Sequence, residues 1–127
     1  MKIWEDSTND WEEADPANFT GQARVQRTDF LDGKDQIRQF RVECEPDART
    51  NWHIHSGPQV LVIVSGTCLI QKWGKEVKRV SAGQTVIFEP GEKHWHGASS
   101  DGPVLHLALN VNVTTTWLEE VELNESR

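Results

Sequence analysis

His53-Ile54-His55-Ser56-Gly57-Pro58-Gln59 places two imidazoles and an amide around a single turn of chain. Asn51-Trp52-His53-Ile54-His55 alternates, which predicts a strand, and side chains two apart on a strand share a face. His53 and His55 therefore project together. Ser56-Gly57-Pro58 turns the chain, and the β-branched run that starts at Gln59 predicts a returning strand carrying the amide back to the same point. A metal ion needs donor atoms about 2 Å away that converge from one side. A second pair, His94-Trp95-His96, follows the turn signal Glu89-Pro90-Gly91-Glu92 on another predicted strand. One strand histidine is most simply a surface or hydrogen-bonded core residue. Two His-x-His pairs, in a chain whose only other histidine is His106, point to a shared ion.

Outward from these pairs the chain reads as strand after strand. Phe40, Val42 and Cys44 alternate with Arg41 and Glu43, and further strands are predicted over residues 59–64, 67–73 and 85–88, with a short one around Val77 and Val80. Over residues 104–111, Leu105, Leu107 and Leu109 take one face, and Val104, His106, Ala108 and Asn110 the other. The best helical candidate is only the short piece around Trp117-Leu118. This spacing predicts an all-β sandwich or jelly-roll barrel. The barrel is expected over residues 23–113, with an N-terminal arm (1–22) anchored by Trp4, Trp11 and Phe19 and a C-terminal tail (114–127).

Composition limits the function. The chain has 127 residues, enough for one domain in which about two-thirds of the unfolded surface can be buried. Twenty Asp and Glu against thirteen Lys and Arg give a net charge of −7, which argues against nucleic acid or an anionic membrane as the main partner. The longest apolar run, Val60 to Val64, is far short of a membrane span. The first residues lack the apolar stretch of a signal peptide, so a cytoplasmic protein is expected. Cys44 and Cys68 are then expected as buried free thiols.

The string from His53 to Gln59, followed by Gly66, resembles the first motif of the cupin superfamily. Gly83 through Glu89-Pro90-Gly91-Glu92-Lys93-His94 resembles the second. The resemblance spans residues 35–111. It implies a double-stranded β-helix barrel holding one divalent ion on His53, His55, Gln59 and His94. Asp47, Glu89 and Ala98 depart from the usual motif residues, and Gln59 stands where Glu is usual. Three neutral imidazoles and an amide leave the ion's charge uncompensated, which favours Lewis-acid over high-valent redox chemistry. Mn, Fe, Zn, Ni and Co all accept such a set, and manganese is preferred on the resemblance.

Pro90-Gly91-Glu92-Lys93-His94-Trp95-His96-Gly97-Ala98 is similar to a subgroup of small bacterial cupins, among them carboxymuconolactone decarboxylase-like proteins and the manganese-dependent hydroxynitrile lyases. That resemblance implies a lyase acting on a small hydroxy or carbonyl compound. His106 would be the general base or acid, and Thr50 and Asn110 would orient the substrate by hydrogen bonds. Phe40, Val42, Ile63 and Trp95 would form the apolar pocket wall, with His96 in the pocket outside the ligand set. A homodimer or homotetramer is implied as well. An iron-dependent dioxygenase and a non-catalytic ligand-binding cupin are the competing readings.

Overall fold

In the computed structural model, which describes residues 1–6 and 9–122, thirteen strands and no helix occupy the described residues. In chain order they are β1 (Glu12–Glu13), β2 (Phe19–Thr20), β3 (Ala23–Asp32), β4 (Gln36–Cys44), β5 (Arg49–Thr50), β6 (His53–His55) and β7 (Gln59–Ser65). After these come β8 (Thr67–Lys72), β9 (Lys78–Ser81), β10 (Thr85–Phe88), β11 (His94–Ala98), β12 (Val104–Val111) and β13 (Thr115–Trp117). One sheet runs β1-β3-β4-β12-β7-β10. The other runs β13-β6-β11-β5-β2, and β11 also pairs with β8, which pairs with β9. The two sheets curl into an all-β barrel.

The alternation along β12 is as the sequence predicts. Val104, His106, Ala108 and Asn110 are buried, and Leu105, Leu107 and Leu109 are half-buried on the outer face. Register with β4 and β7 then stacks the inward side chains in rows. Arg38, Asn110 and Gln59 form one row, Phe40, Ala108 and Leu61 the next, and Val42, His106 and Ile63 the third. Cys44 and Val104 close the floor. Burying side chains such as Leu61 and Ile63 contributes about 1.5–3 kcal/mol each.

β11 is the centre of the second sheet. It pairs with β8 on one side and with β5 and β6 on the other. Gly97 permits this, because a Cβ there would sit 2.5 Å from the Ala48 carbonyl oxygen and 2.7 Å from the Arg49 Cα. Outside this sheet, Trp52, Leu69, Trp95 and Val121 form a second apolar cluster, with Val77 and Leu118 against it.

Trp4 meets Phe30 edge-on at 5.6 Å, Trp11 lies under the Arg24 guanidinium at 4.4 Å, and Phe19 approaches Trp117 at 6.1 Å. The best helical candidate, the piece around Trp117-Leu118, is not helical. Residues 115–117 are a strand paired with β6, and Leu118 N–H donates to the Trp52 carbonyl at 2.8 Å. Residues 123–127 of the expected tail lie outside the described residues. Cys44 and Cys68 are free and fully buried; burial pushes both thiols up, Cys68 to about 12, so neither is a nucleophile. No helix among the described residues is long and apolar enough to cross a membrane.

Candidate metal centre

A cavity of about 580 Å³ opens between the sheets, and its lining includes Thr50, His53, His55, Gln59, His96 and Asn110. Phe40, Val42, Val113 and Trp117 supply apolar wall. The register of β11 against β6 makes His53 and His94 direct cross-strand partners, with ring centroids 4.3 Å apart. His55 lies 5.0 Å from His53 and 5.3 Å from His94. The turn through Gly91, at φ +79°, ties the two motifs together, since Gly91 N–H donates to the His55 carbonyl at 3.0 Å.

The outer nitrogen of each of these rings is already engaged. His53 Nδ1 lies 2.8 Å from the Asn51 carbonyl, His94 Nδ1 2.8 Å from the Glu92 carbonyl, and His55 Nδ1 2.9 Å from Thr115 Oγ1. A carbonyl only accepts, so His53 and His94 carry their proton on Nδ1 and present an Nε2 lone pair inward. Burial lowers the pKa of His53, His55 and His94, the last to about 4, and a neighbouring imidazole lowers His53 and His94 further. Neutral rings are what a divalent ion requires. Phe88 stacks on His94 at 3.8 Å and holds its plane.

Gln59 completes the set. Its Nε2 donates to Asn110 Oδ1 at 2.9 Å, which turns its Oε1 toward His94 Nε2, 3.3 Å away. Both facing atoms are acceptors, and His55 Nε2 is buried without a hydrogen-bond partner. Acceptors crowded in this way call for a cation between them. Two ligands at right angles about 2.1 Å from an ion stand about 3 Å apart, close to the separation here. The residues fit a divalent ion. Histidine nitrogens of His53, His94 and His96 also lie within 4.8 Å of one another, so a third imidazole of the pocket wall reaches the same locus.

Three expected pocket residues take other places. Trp95 stands between His94 and His96 on β11, so it faces the outer cluster and donates its Nε1–H to Gln71 Oε1 at 2.8 Å. Ile63 belongs to the core beneath the cavity. His106 faces inward but two rows below Asn110; it is fully buried, is absent from the cavity lining and meets His96 edge-on at 4.8 Å. Beside His53 and His55, the imidazole that lines the cavity is His96. Thr50, Asn110, Phe40 and Val42 line the cavity as expected. Thr50 Oγ1 accepts the His96 backbone N–H at 3.2 Å, leaving its O–H as a donor. Asn110 Oδ1 is taken by Gln59, leaving the Asn110 amide N–H groups. Sequence reasoning missed Thr115 and Trp117 as site residues; only the pairing of β13 with β6, opposite His55 and His53, brings them to the site.

His106 has no hydrogen-bond partner on either ring nitrogen, and burial lowers it to about 4. The folded chain therefore stays unprotonated here while the unfolded chain takes up a proton below about 6.5. The stabilisation is present above that value and is lost as pH falls toward 4, by about 3 kcal/mol. Urea titrations of the metal-free protein should show this loss, and His106→Leu should remove about that much of the pH dependence.

Residues 40–110 match the cupin domain family. The (R)-mandelonitrile lyase of Granulicella tundricola is 35% identical over 106 residues, covering 81% of this chain and 81% of that protein. A cupin-like protein of Thermotoga maritima superposes with a TM-score of 0.75 at 28% identity, over 96% of this chain and 92% of that one. The polyketide cyclase RemF of Streptomyces resistomycificus gives 0.74 at 16% identity, over 98% and 88%, a likeness of fold alone. With the barrel, the two histidine pairs and the converging donors in place, the chain belongs to the cupin family.

Proposed function

We propose that this cupin is a metal-dependent lyase that interconverts a small cyanohydrin with its carbonyl compound and hydrogen cyanide, with manganese as the preferred ion. The observation that carries the reading is a ligand set without a carboxylate, His53, His55, Gln59 and His94, beside a neutral imidazole in the cavity wall. A relative of comparable length is a mandelonitrile lyase, which supports the same reaction class. Held by these four residues, a divalent ion supplies a Lewis acid that stabilises negative charge on a substrate oxygen.

The chain's own groups do the rest. His96 is buried in the cavity wall, and burial together with the imidazoles of His106, His53, His94 and His55 lowers its pKa well below the usual value. It therefore stands neutral and ready to accept the substrate's hydroxyl proton. As that O–H bond breaks, its electron pair forms the carbonyl, the carbon–carbon bond breaks, and cyanide leaves with that bond's electron pair. The weakly basic imidazole then returns the proton to cyanide. The Thr50 hydroxyl and Asn110 amide donate hydrogen bonds that fix the oxygen and nitrile ends, and Phe40, Val42 and Trp117 keep water from the organic group. His106, behind His96, sets the position of that ring.

The test is cleavage of aromatic and aliphatic cyanohydrins by manganese-loaded protein. His96→Gln should lower kcat/KM by about 10²–10⁴-fold at unchanged manganese content. Turnover no greater than that of metal-free protein across both substrate classes would remove the lyase reading. Oxygen consumption with a catechol or diketone would put a dioxygenase in its place.

A further inference from the structure

We infer that β13 is part of the metal centre, with the Thr115 hydroxyl acting as the positioning group that makes His55 a ligand. The inference rests on reading His55 as a ligand and is independent of the reaction proposed. Of the three ligand histidines, two are oriented by carbonyls two residues earlier in their own segment, Asn51 for His53 and Glu92 for His94. Those acceptors are main chain and are present whatever the side chains. His55 differs. Its Nδ1 meets a side-chain hydroxyl from a residue 60 positions away, Thr115 Oγ1, at 2.9 Å.

A hydroxyl both donates and accepts. With Thr115 as acceptor, the His55 proton sits on Nδ1, and the buried, unpartnered Nε2 offers a lone pair to the ion. Without that hydroxyl, Nδ1 loses the acceptor this geometry provides, and the tautomer that leaves the Nε2 lone pair toward the ion loses its support. The pairing that delivers the hydroxyl is backbone: Thr115 lies opposite His55, Thr116 opposite Ile54 and Trp117 opposite His53. The same strand lays the Trp117 ring against His53 at 4.6 Å, covering a second ligand on its cavity side. Orienting partners of this kind typically change metal affinity by about 10–100-fold.

The experiment titrates metal-free protein with Mn(II) alone and follows binding by calorimetry and imidazole nitrogen couplings by pulsed electron paramagnetic resonance. Thr115→Val keeps the shape and strand preference of the residue and removes the acceptor, whereas Thr115→Ser keeps the acceptor. Valine should weaken Mn(II) binding about 10–100-fold and diminish the nitrogen couplings. Serine should bind within about threefold of the wild type, as expected when the hydroxyl is retained. The metal-free proteins should melt within about 3 °C of one another, as for a substitution that leaves the backbone pairing in place. If the valine variant does not fold, Thr115→Ala carries the same expectation. Valine binding within about twofold of wild type, well below the effect of an orienting partner, overturns the inference. So does serine binding as weakly as valine, since packing rather than the hydroxyl would then be responsible. A wild-type protein that takes up no Mn(II) removes the metal reading and this inference together; binding by the wild type without cyanohydrin turnover removes only the lyase.

Discussion

Under the proposed metal-dependent cleavage, His94→Ala should abolish manganese binding and lower cyanohydrin turnover by about 10³-fold or more, the several kcal/mol that a Lewis acid contributes to charge stabilisation. In the proposed site, His94 is the histidine on which the other donors converge. It is fully buried, pairs with His53 across the strands, faces the Gln59 amide oxygen at 3.3 Å and is braced by Phe88. Removing it takes away one imidazole and the ring nitrogen that faces the Gln59 oxygen. Elemental analysis after dialysis, beside kcat for mandelonitrile, measures both parts, and far-ultraviolet circular dichroism reports whether the barrel persists. A variant that keeps a full equivalent of manganese would show that the ion is held elsewhere.

Gly66→Ala should be the most destabilising small substitution in the barrel. Gly66 has φ +81°, and a Cβ there would lie 2.2 Å from the Pro103 carbonyl oxygen and 3.2 Å from the Val104 Cα. The obstacle is backbone at the entry to β12, so no side chain can swing aside. Left-handed strain of about 1–2 kcal/mol adds to overpacking of about 1–3 kcal/mol. A total of about 3 kcal/mol corresponds to a melting temperature lower by roughly 10 °C. Gly83 provides the control: its φ is +92°, but nothing lies within 4 Å of its Cβ position, so Gly83→Ala should show the strain alone. Equal losses at the two positions would mean that the close approach at Pro103 relaxes at little cost.

Where one inward face must meet a core, the sequence was readable. β12 alternates because one side of it is buried and the other only half so, and His53-x-His55 on β6 is legible for the same reason, whereas β11 is buried on both faces. Trp95 was expected in the pocket against this same alternation: a residue between two inward histidines points outward. Depth was not readable. That His106 lies two rows below Asn110 depends on how β12 registers with β4 and β7, strands distant in the chain. β3 was missed because its alternation is hidden by polar residues. Gln26 and Thr28 are buried beneath the N-terminal segment, where Gln26 Nε2 donates to the Asn9 carbonyl at 2.7 Å and Asn9 Nδ2 to Thr28 Oγ1 at 3.0 Å. Thr115 carries no chemical signature in a run of threonines; only its pairing with His55 gives it a task.

The pairing of β6 with β13 also sets an order in time. On the ribosome the first histidine pair emerges 60 residues before the hydroxyl that His55 faces, a delay of about 3–12 s at ordinary elongation rates. His94 joins in between, and Thr115 and Trp117 come last. The pocket wall beside the first histidine pair is therefore completed only once β13 has been made, and until then His53 and His55 stand open on that side.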